Sequence, residues 1–360
     1  MNWMKFFEEI VNLPTGPDLT IEEKLSKLKN VESFIRSLGF ECKYGKGSLI
    51  AEMGNPPYIT LIGHFDTVFK KDDTLSRPFK TYDNKVYGPG VADMKGGIVI
   101  MLKAVKEFLD EKVEMKRGLR LIINVDEELG SKISRDDMYA AAEDSIYCLS
   151  YEPARPSGAL LSARKGIAGC RIKVHGEKAH AALIGKEGAN AVVELSDKIL
   201  KMYEMNGQID GLTVNPSIVN GGVKSNIIPD YAEAYFDIRY AKKDDIDSIQ
   251  ETIKEICSKT VVKGTKIEYE FKISRAPMRS SDELLSIVDK VAKNLNIDIS
   301  FEVTGGGGDS AFFSEKGVDA LDGLGIVGGR FHSEDEYAEL NSIEERSLLS
   351  KELLKELQKL

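Results

Sequence analysis

The sequence predicts an α/β protein: a mostly parallel sheet flanked by helices, interrupted by a smaller inserted α+β domain. Three observations lead there. Short apolar runs of strand length alternate with helical spacings in the first third, a strand-rich block replaces them near residue 164, and the first pattern returns after residue 275. The chain has 360 residues, more than one hydrophobic core usually organises, so two domains are expected. We place them at 1–163 and 276–360, as one domain in two pieces, and at 164–275.

In order along the chain, residues 19–38 carry Ile21, Leu25, Leu28, Val31, Phe34, Ile35 and Leu38 at helical spacing, stopped by Gly39. Residues 58–63 form an apolar run of the kind a strand buried on both faces requires. A helix is predicted over 95–108, and further strands over 119–125 and 145–150. Within the insert, strands are expected at 166–175, 213–219, 233–240 and 266–273, with helices at 189–203 and 244–258. That β-α-β-β-α-β order is ferredoxin-like. Helices over 282–295 and 342–360 close the chain. No fixed-period repeat and no low-complexity segment is present.

Composition narrows the function. Hydrophobic residues make up 42% and charged residues 30%, as in ordinary soluble domains. The net charge of −9 and the lack of a Lys/Arg cluster argue against nucleic acid as a partner. No apolar run reaches the ~20 residues a membrane span needs, so no membrane partner is expected. The N-terminus lacks a basic segment followed by an apolar one, which predicts a cytoplasmic protein. Cys42, Cys148, Cys170 and Cys257 form no C-x-x-C pair and read as small buried residues in a reducing compartment.

The chemistry lies in where histidines and acids fall relative to the strands. His64 and Asp66 emerge at the C-terminal end of the 58–63 run, the edge where open α/β sheets bind ligands. Residues two apart on extended backbone point the same way, so Asp66 can hold the His64 imidazole, as a metal-bound histidine requires. By itself a His-x-Asp pair is common and means little. Asp93 stands in a glycine-rich loop that opens a helix. Such loops also cradle phosphates, although the Walker order is missing here. Asp126, Glu127 and Glu128 follow the 119–125 run, either as solvated loop acids or as a cluster that needs a cation. Glu152 follows the 145–150 strand, and His332 follows a glycine-rich stretch. Two histidines with three or more carboxylates suit a pair of Zn2+ ions sharing a bridging carboxylate, while Co2+ or Mn2+ also suit such donors. A spare carboxylate beside a ligand can act as general base.

Taken together, these residues resemble the M20 family of zinc metallopeptidases. The resemblance rests on an ordered series: Gly63-His64-Phe65-Asp66-Thr67-Val68, residues 88–97, Asp126-Glu127-Glu128-x-Gly130, Tyr151-Glu152-Pro153, Ala179-His180-Ala181, residues 225–229, Asp237-Ile238-Arg239, residues 305–309 and His332. It implies that His64, Asp93 and Glu152 hold one zinc and that Asp93, Glu128 and His332 hold the other, with two Zn2+ per subunit. Glu127 is the implied general base and Asp66 the orienter of His64. His180 is the implied oxyanion donor, Asn226 and Arg239 contact a substrate carboxylate, and Gly306 and Gly307 pass close to the substrate backbone. The insert is the implied lid and dimerisation domain, so a homodimer is expected. Within the family the chain is most similar to the glutamate carboxypeptidases, on residues 124–131, 134–136 and 237–241 and on Glu152, where dipeptidases and aminopeptidases tend to carry Asp. Gly308 departs from the Ser or Thr that relatives often have there.

The resulting expectation is a dinuclear zinc hydrolase that cleaves an amide bond beside a free carboxylate and releases a glutamate-like amino acid from a peptide or N-acyl amino acid. Alternatives are an N-acyl amino acid deacylase of the acyl-ornithine or succinyl-diaminopimelate type, a dipeptidase, and more remotely a non-catalytic metal-binding protein. His175 matches no motif and reads as a structural histidine. Arg275 reads equally as a second carboxylate contact or as a salt-bridged hinge residue.

Overall fold

The structure, a computed structural model, describes residues 2–360. The chain forms two compact units, one from residues up to 163 with 278–304 and 308–360, the other from 164–277 with 305–307.

The first unit is built on a six-stranded sheet ordered Glu41–Tyr44, Ser48–Met53, Gly118–Asn124, Tyr58–His64, Ser145–Ser150 and Asp319–Leu321. The last four strands run parallel, and the first two form an antiparallel hairpin on the edge. The mostly parallel, helix-flanked sheet is therefore as the apolar runs imply; the hairpin went unread because its first strand is largely exposed.

Side-chain alternation sorts this sheet into two cores. Leu49, Ala51, Ile59, Leu61, Leu121, Ile123 and Leu149 face a layer that includes the helices Trp3–Val11, Lys95–Asp110, Asp282–Leu295 and Asn341–Leu357. Their neighbours Ile50, Ile62, Ile122 and Cys148 face Arg135–Ala142 and Ser310–Glu315 on the other side. Each large apolar side chain removed from water contributes ~1.5–3 kcal/mol, so a sheet covered on both faces holds its strand ends firmly.

The helix expected over 19–38 is a correction. The structure breaks it into Ile21–Ser26 and Lys29–Ser37. The Ser26 hydroxyl donates to the Glu23 carbonyl at 2.6 Å, and Lys27 and Leu28 close onto residues three back. Such local bonds compete with the helical ladder. Lys24, fully buried, also reaches Val125, where its Nζ donates to the carbonyl oxygen at 3.0 Å. The apolar periodicity runs through the break because the tighter turn keeps the same face inward.

The second unit is a four-stranded antiparallel sheet ordered Thr213–Gly221, Tyr231–Tyr240, Gly166–His175 and Lys266–Arg275. Ala191–Tyr203 and Asp245–Ser258 share the core with Ala168, Cys170, Ile172, Val174, Ala234, Phe236 and Ile238. Alternate residues carry charge on the other face, where Arg171 pairs with Glu233 and Lys173 with Glu270. Among the described residues no helix is long and apolar enough to cross a membrane.

Candidate metal centre

Parallel strands end together, and that puts the predicted acids and histidines at one edge. His64 ends its strand in register with Asn124 on the neighbouring strand, so Asp66 and the turn beginning at Asp126 leave the sheet side by side. Ser150 ends the next strand, two residues before Glu152. Asp93 comes from the loop before the helix Lys95–Asp110. That helix can approach the sheet because residue 97 is glycine: a Cβ there would lie 2.0 Å from the Tyr151 carbonyl oxygen. His332 sits in the loop joining Gly328–Gly329 to Tyr337–Glu339, at a left-handed φ of +62°.

Asp93 is the centre of the cluster. Its Oδ1 lies 3.1 Å from His64 Nε2 and its Oδ2 lies 3.3 Å from His332 Nε2. The first histidine is also 3.8 Å from Glu152 Oε1, and the second is 3.3 Å from Glu128 Oε2. Donor atoms of His64, Asp93 and Glu128 all fall within 4.8 Å of one another. These five side chains come together from positions spread between residues 64 and 332.

Charge follows from that proximity. Burial works against an imidazolium at His64, but the Asp66 and Asp93 carboxylates outweigh it and raise the pKa well above the usual value. Hydrogen bonds to Asp93 and Glu128 hold His332 up at about 10. Burial pushes the Asp93 carboxyl up, yet its two histidine partners dominate and leave it well below the ordinary carboxylate range.

The residues around the cluster hold it in place. The Asp66 carboxylate accepts the backbone N–H groups of Glu127 and Glu128, both at 3.1 Å. His64 Nδ1 lies 3.1 Å from the Asp66 carbonyl oxygen and 3.4 Å from Oδ1. Asp66 therefore sets both the imidazole and the turn that carries the two glutamates. The Asp126 carboxylate accepts from Ile133 N at 2.8 Å. Asp309 binds Ser131 Oγ at 2.5 Å and the Asn124 amide. Glu336, buried, accepts from Gly90, Ala92 and Asp93, and burial raises its carboxyl to about 7. Lys95, also buried, donates to the Leu13 carbonyl at 2.7 Å, and burial lowers its ammonium to about 7. Sequence reasoning missed Glu336 and Lys24. A signal existed in the spacing of Glu336 four residues after His332, but it is hidden beside the exposed acids Glu334 and Asp335.

The donor set fits metal ions. It mixes imidazole nitrogen with carboxylate oxygen, and none of the four free cysteines belongs to it. One oxygen of Glu128, Oε1, is buried without a hydrogen-bond partner, an unfavourable state for a carboxylate that a cation relieves. His64 also has the partner on its second nitrogen that ligating histidines use.

The other predicted residues lie in the second unit. His180 pairs with Ile227 across a short antiparallel bridge, its Nδ1 accepts from Ala182 N at 3.1 Å, and Ala181 N donates to the Asn226 carbonyl at 3.0 Å. His180 and Asn226 are thus neighbours. Arg239 presents two nitrogens to Asp237, at 2.7 and 2.9 Å, and donates from Nη1 to Gly305 O at 3.2 Å. One edge of its fork is already taken by Asp237. Gly307 accepts from Arg164 Nη1 at 2.6 Å, and a Cβ on it would meet the Ile167 Cδ1 methyl at 2.6 Å, so a side chain there would require that methyl to shift. Arg275 is buried beside that glycine. His175 lies 3.8 Å from Glu268 and 5.4 Å from the Tyr231 ring.

The sequence matches the peptidase family M20/M25/M40 over residues 60–356. Carboxypeptidase G2 from Pseudomonas sp. is 29% identical, over 98% of this chain and 89% of that protein. A succinyl-diaminopimelate desuccinylase from Psychrobacter sp. is 26% identical, over 95% of this chain and 90% of that one. Among solved structures, an aminopeptidase PepT from Bacillus cereus superposes with a TM-score of 0.83 at 18% identity, covering 99% of this chain and 98% of that one. A dinuclear metal-binding M20 peptidase from Bacillus subtilis gives 0.74 at 16% identity, covering 99% and 98%.

Proposed function

Since the chain belongs to the peptidase family M20/M25/M40 and is a metallohydrolase, we propose that it cleaves an amide or peptide bond beside a free carboxylate and releases a C-terminal, glutamate-like amino acid. The observation that carries this reading is Asp93, with one oxygen turned to His64 and the other to His332, so that one carboxylate would serve two cations. We assign His64, Asp93 and Glu152 to one Zn2+ and Asp93, Glu128 and His332 to the other. When bound there, such ions would lower the pKa of a water and offer Lewis-acid polarisation of the scissile carbonyl.

The chain's own residues do the rest. Glu127 takes the proton from the attacking water and returns it to the leaving amine. Asp66 holds its backbone and sets the His64 tautomer. His180 donates to the developing oxyanion, a contact typically worth ~10²–10³ in turnover. Asn226 and Arg239 bind the substrate carboxylate, with Asp237 fixing the guanidinium plane and Nη1 exchanging its Gly305 carbonyl partner for the substrate. Gly306 and Gly307 line the substrate backbone. Arg239→Ala should raise KM for substrates with a free carboxylate and leave an amidated analogue unaffected; equal effects on both would remove that role.

A homodimer through the second unit belongs to the same reading. Val193, Leu200 and Tyr203 are exposed along one helix, and Ile218, Val219 and Val223 are exposed on and just beyond the edge strand Thr213–Gly221. An open edge beside exposed apolar side chains favours pairing with a second copy.

Similarity to carboxypeptidase G2 and the presence of Glu152 favour the carboxypeptidase-like substrate. Similarity to a succinyl-diaminopimelate desuccinylase supports a second reading, deacylation of an N-acyl amino acid. The test is amino acid release from N-acyl-glutamate, N-acyl-ornithine and simple dipeptides by zinc-loaded protein, with and without chelator. Chelator-sensitive glutamate release supports the first reading. Release from another substrate alone moves the specificity and keeps the mechanism.

A further inference from the structure

Glu336 stands outside the ligand set, yet it joins the two loops that carry Asp93 and His332. It is 2% exposed. Its Oε1 accepts from Ala92 N at 2.9 Å and from Asp93 N at 3.0 Å, and its Oε2 accepts from Gly90 N at 3.1 Å. All three donors lie within four residues of the loop that ends at Asp93, so a single carboxylate fixes that loop's backbone. Glu336 also ends the loop that holds His332, immediately before the strand Tyr337–Glu339.

Both loops grow from one small sheet. Tyr337 pairs with Tyr87, which precedes the Asp93 loop, and with Gly329, which precedes the His332 loop. Strand pairing sets the bases of the loops, and Glu336 ties the far part of one to the end of the other. A carboxylate suits the task because its two oxygens accept several N–H groups at once.

We propose that Glu336 is a positioning residue of the metal centre, stapling the Asp93 loop to the His332 loop and so preorganising the ligands of the second metal. This rests on the two-metal reading above. A partner of this kind changes metal affinity by ~10–100-fold in known sites. Glu336→Gln keeps the shape but leaves only one good acceptor, and its NH2 faces a backbone N–H.

Two readouts test it. Hydrogen-exchange mass spectrometry of the metal-free protein should show faster exchange in the peptide covering residues 86–95, with the strand Ser145–Ser150 unchanged. Chelator competition with Zn2+ should show the weaker of two binding steps loosened by ~10–100-fold. Glu336→Asp keeps the charge with a shorter reach and should fall between the two, and it replaces the glutamine variant if that one does not fold. Faster exchange with wild-type zinc affinity makes Glu336 a plain structural brace and overturns the proposal, as does unchanged exchange. Wild-type protein that binds no zinc overturns the metal centre itself, and that control separates the two failures.

Discussion

Replacing Asp66 by asparagine tests how the centre is held, because one carboxylate serves two purposes. The side chain is fully buried and accepts from Glu127 N and Glu128 N at 3.1 Å each while facing His64 Nδ1. Asparagine offers one acceptor oxygen, so one backbone N–H meets an NH2 group instead. The loss of a charge-assisted bond costs ~1.5–3 kcal/mol, and a stranded buried donor sets a similar scale, so we expect about 3 kcal/mol in all. In a unit of this size each kcal/mol moves Tm by ~2–4 °C, which predicts a fall of roughly 6–12 °C for metal-free protein. The His64 tautomer also loses its anionic partner, so zinc affinity should fall by ~10–100-fold. Calorimetric unfolding reads the first effect and chelator competition the second. Unchanged Tm and unchanged affinity would refute both roles. A lower Tm with wild-type affinity would leave Asp66 as a brace of the 127–128 turn alone.

Three further outcomes are expected. Glu127→Gln should lower turnover by ~10²–10⁴ while zinc content stays at the wild-type level, since general-base catalysis is worth that much; loss of zinc as well would contradict the base assignment. Zinc loading at pH 8 should release protons, because the Asp93 and Glu128 carboxylates hold the His332 pKa up at about 10 in the metal-free protein and the imidazole must be neutral to bind metal; affinity therefore rises with pH through the neutral and mildly alkaline range. Calorimetry in two buffers of different ionisation enthalpy checks this, and equal heats would exclude it. Leu200→Glu, at an exposed position of the second unit, should convert a dimer to monomers in sedimentation without unfolding the chain, whereas a wild-type monomer would end the dimer reading.

The candidate cluster was legible because strand ends are legible. Apolar runs at 58–63, 119–125 and 145–150 locate the C-terminal edge of a parallel sheet, and His64, Glu128 and Glu152 follow directly. The hairpin strand Glu41–Tyr44 was hidden by its exposure, and the break at residue 27 by a periodicity that a tight turn preserves.

By itself, then, the sequence determined the fold class, the family and which histidines and acids stand at strand ends and in glycine-rich loops, since these rest on local pattern and ordered motifs. The tertiary structure decided what holds them: that Asp66 grips the turn 61 and 62 residues away, that Lys24 reaches Val125 across 101 residues, and that Glu336 clasps Asp93 across 243. Such partners carry no local signature. A buried carboxylate or ammonium looks like any surface charge in the chain, and only folding brings it to the backbone groups that make its burial favourable.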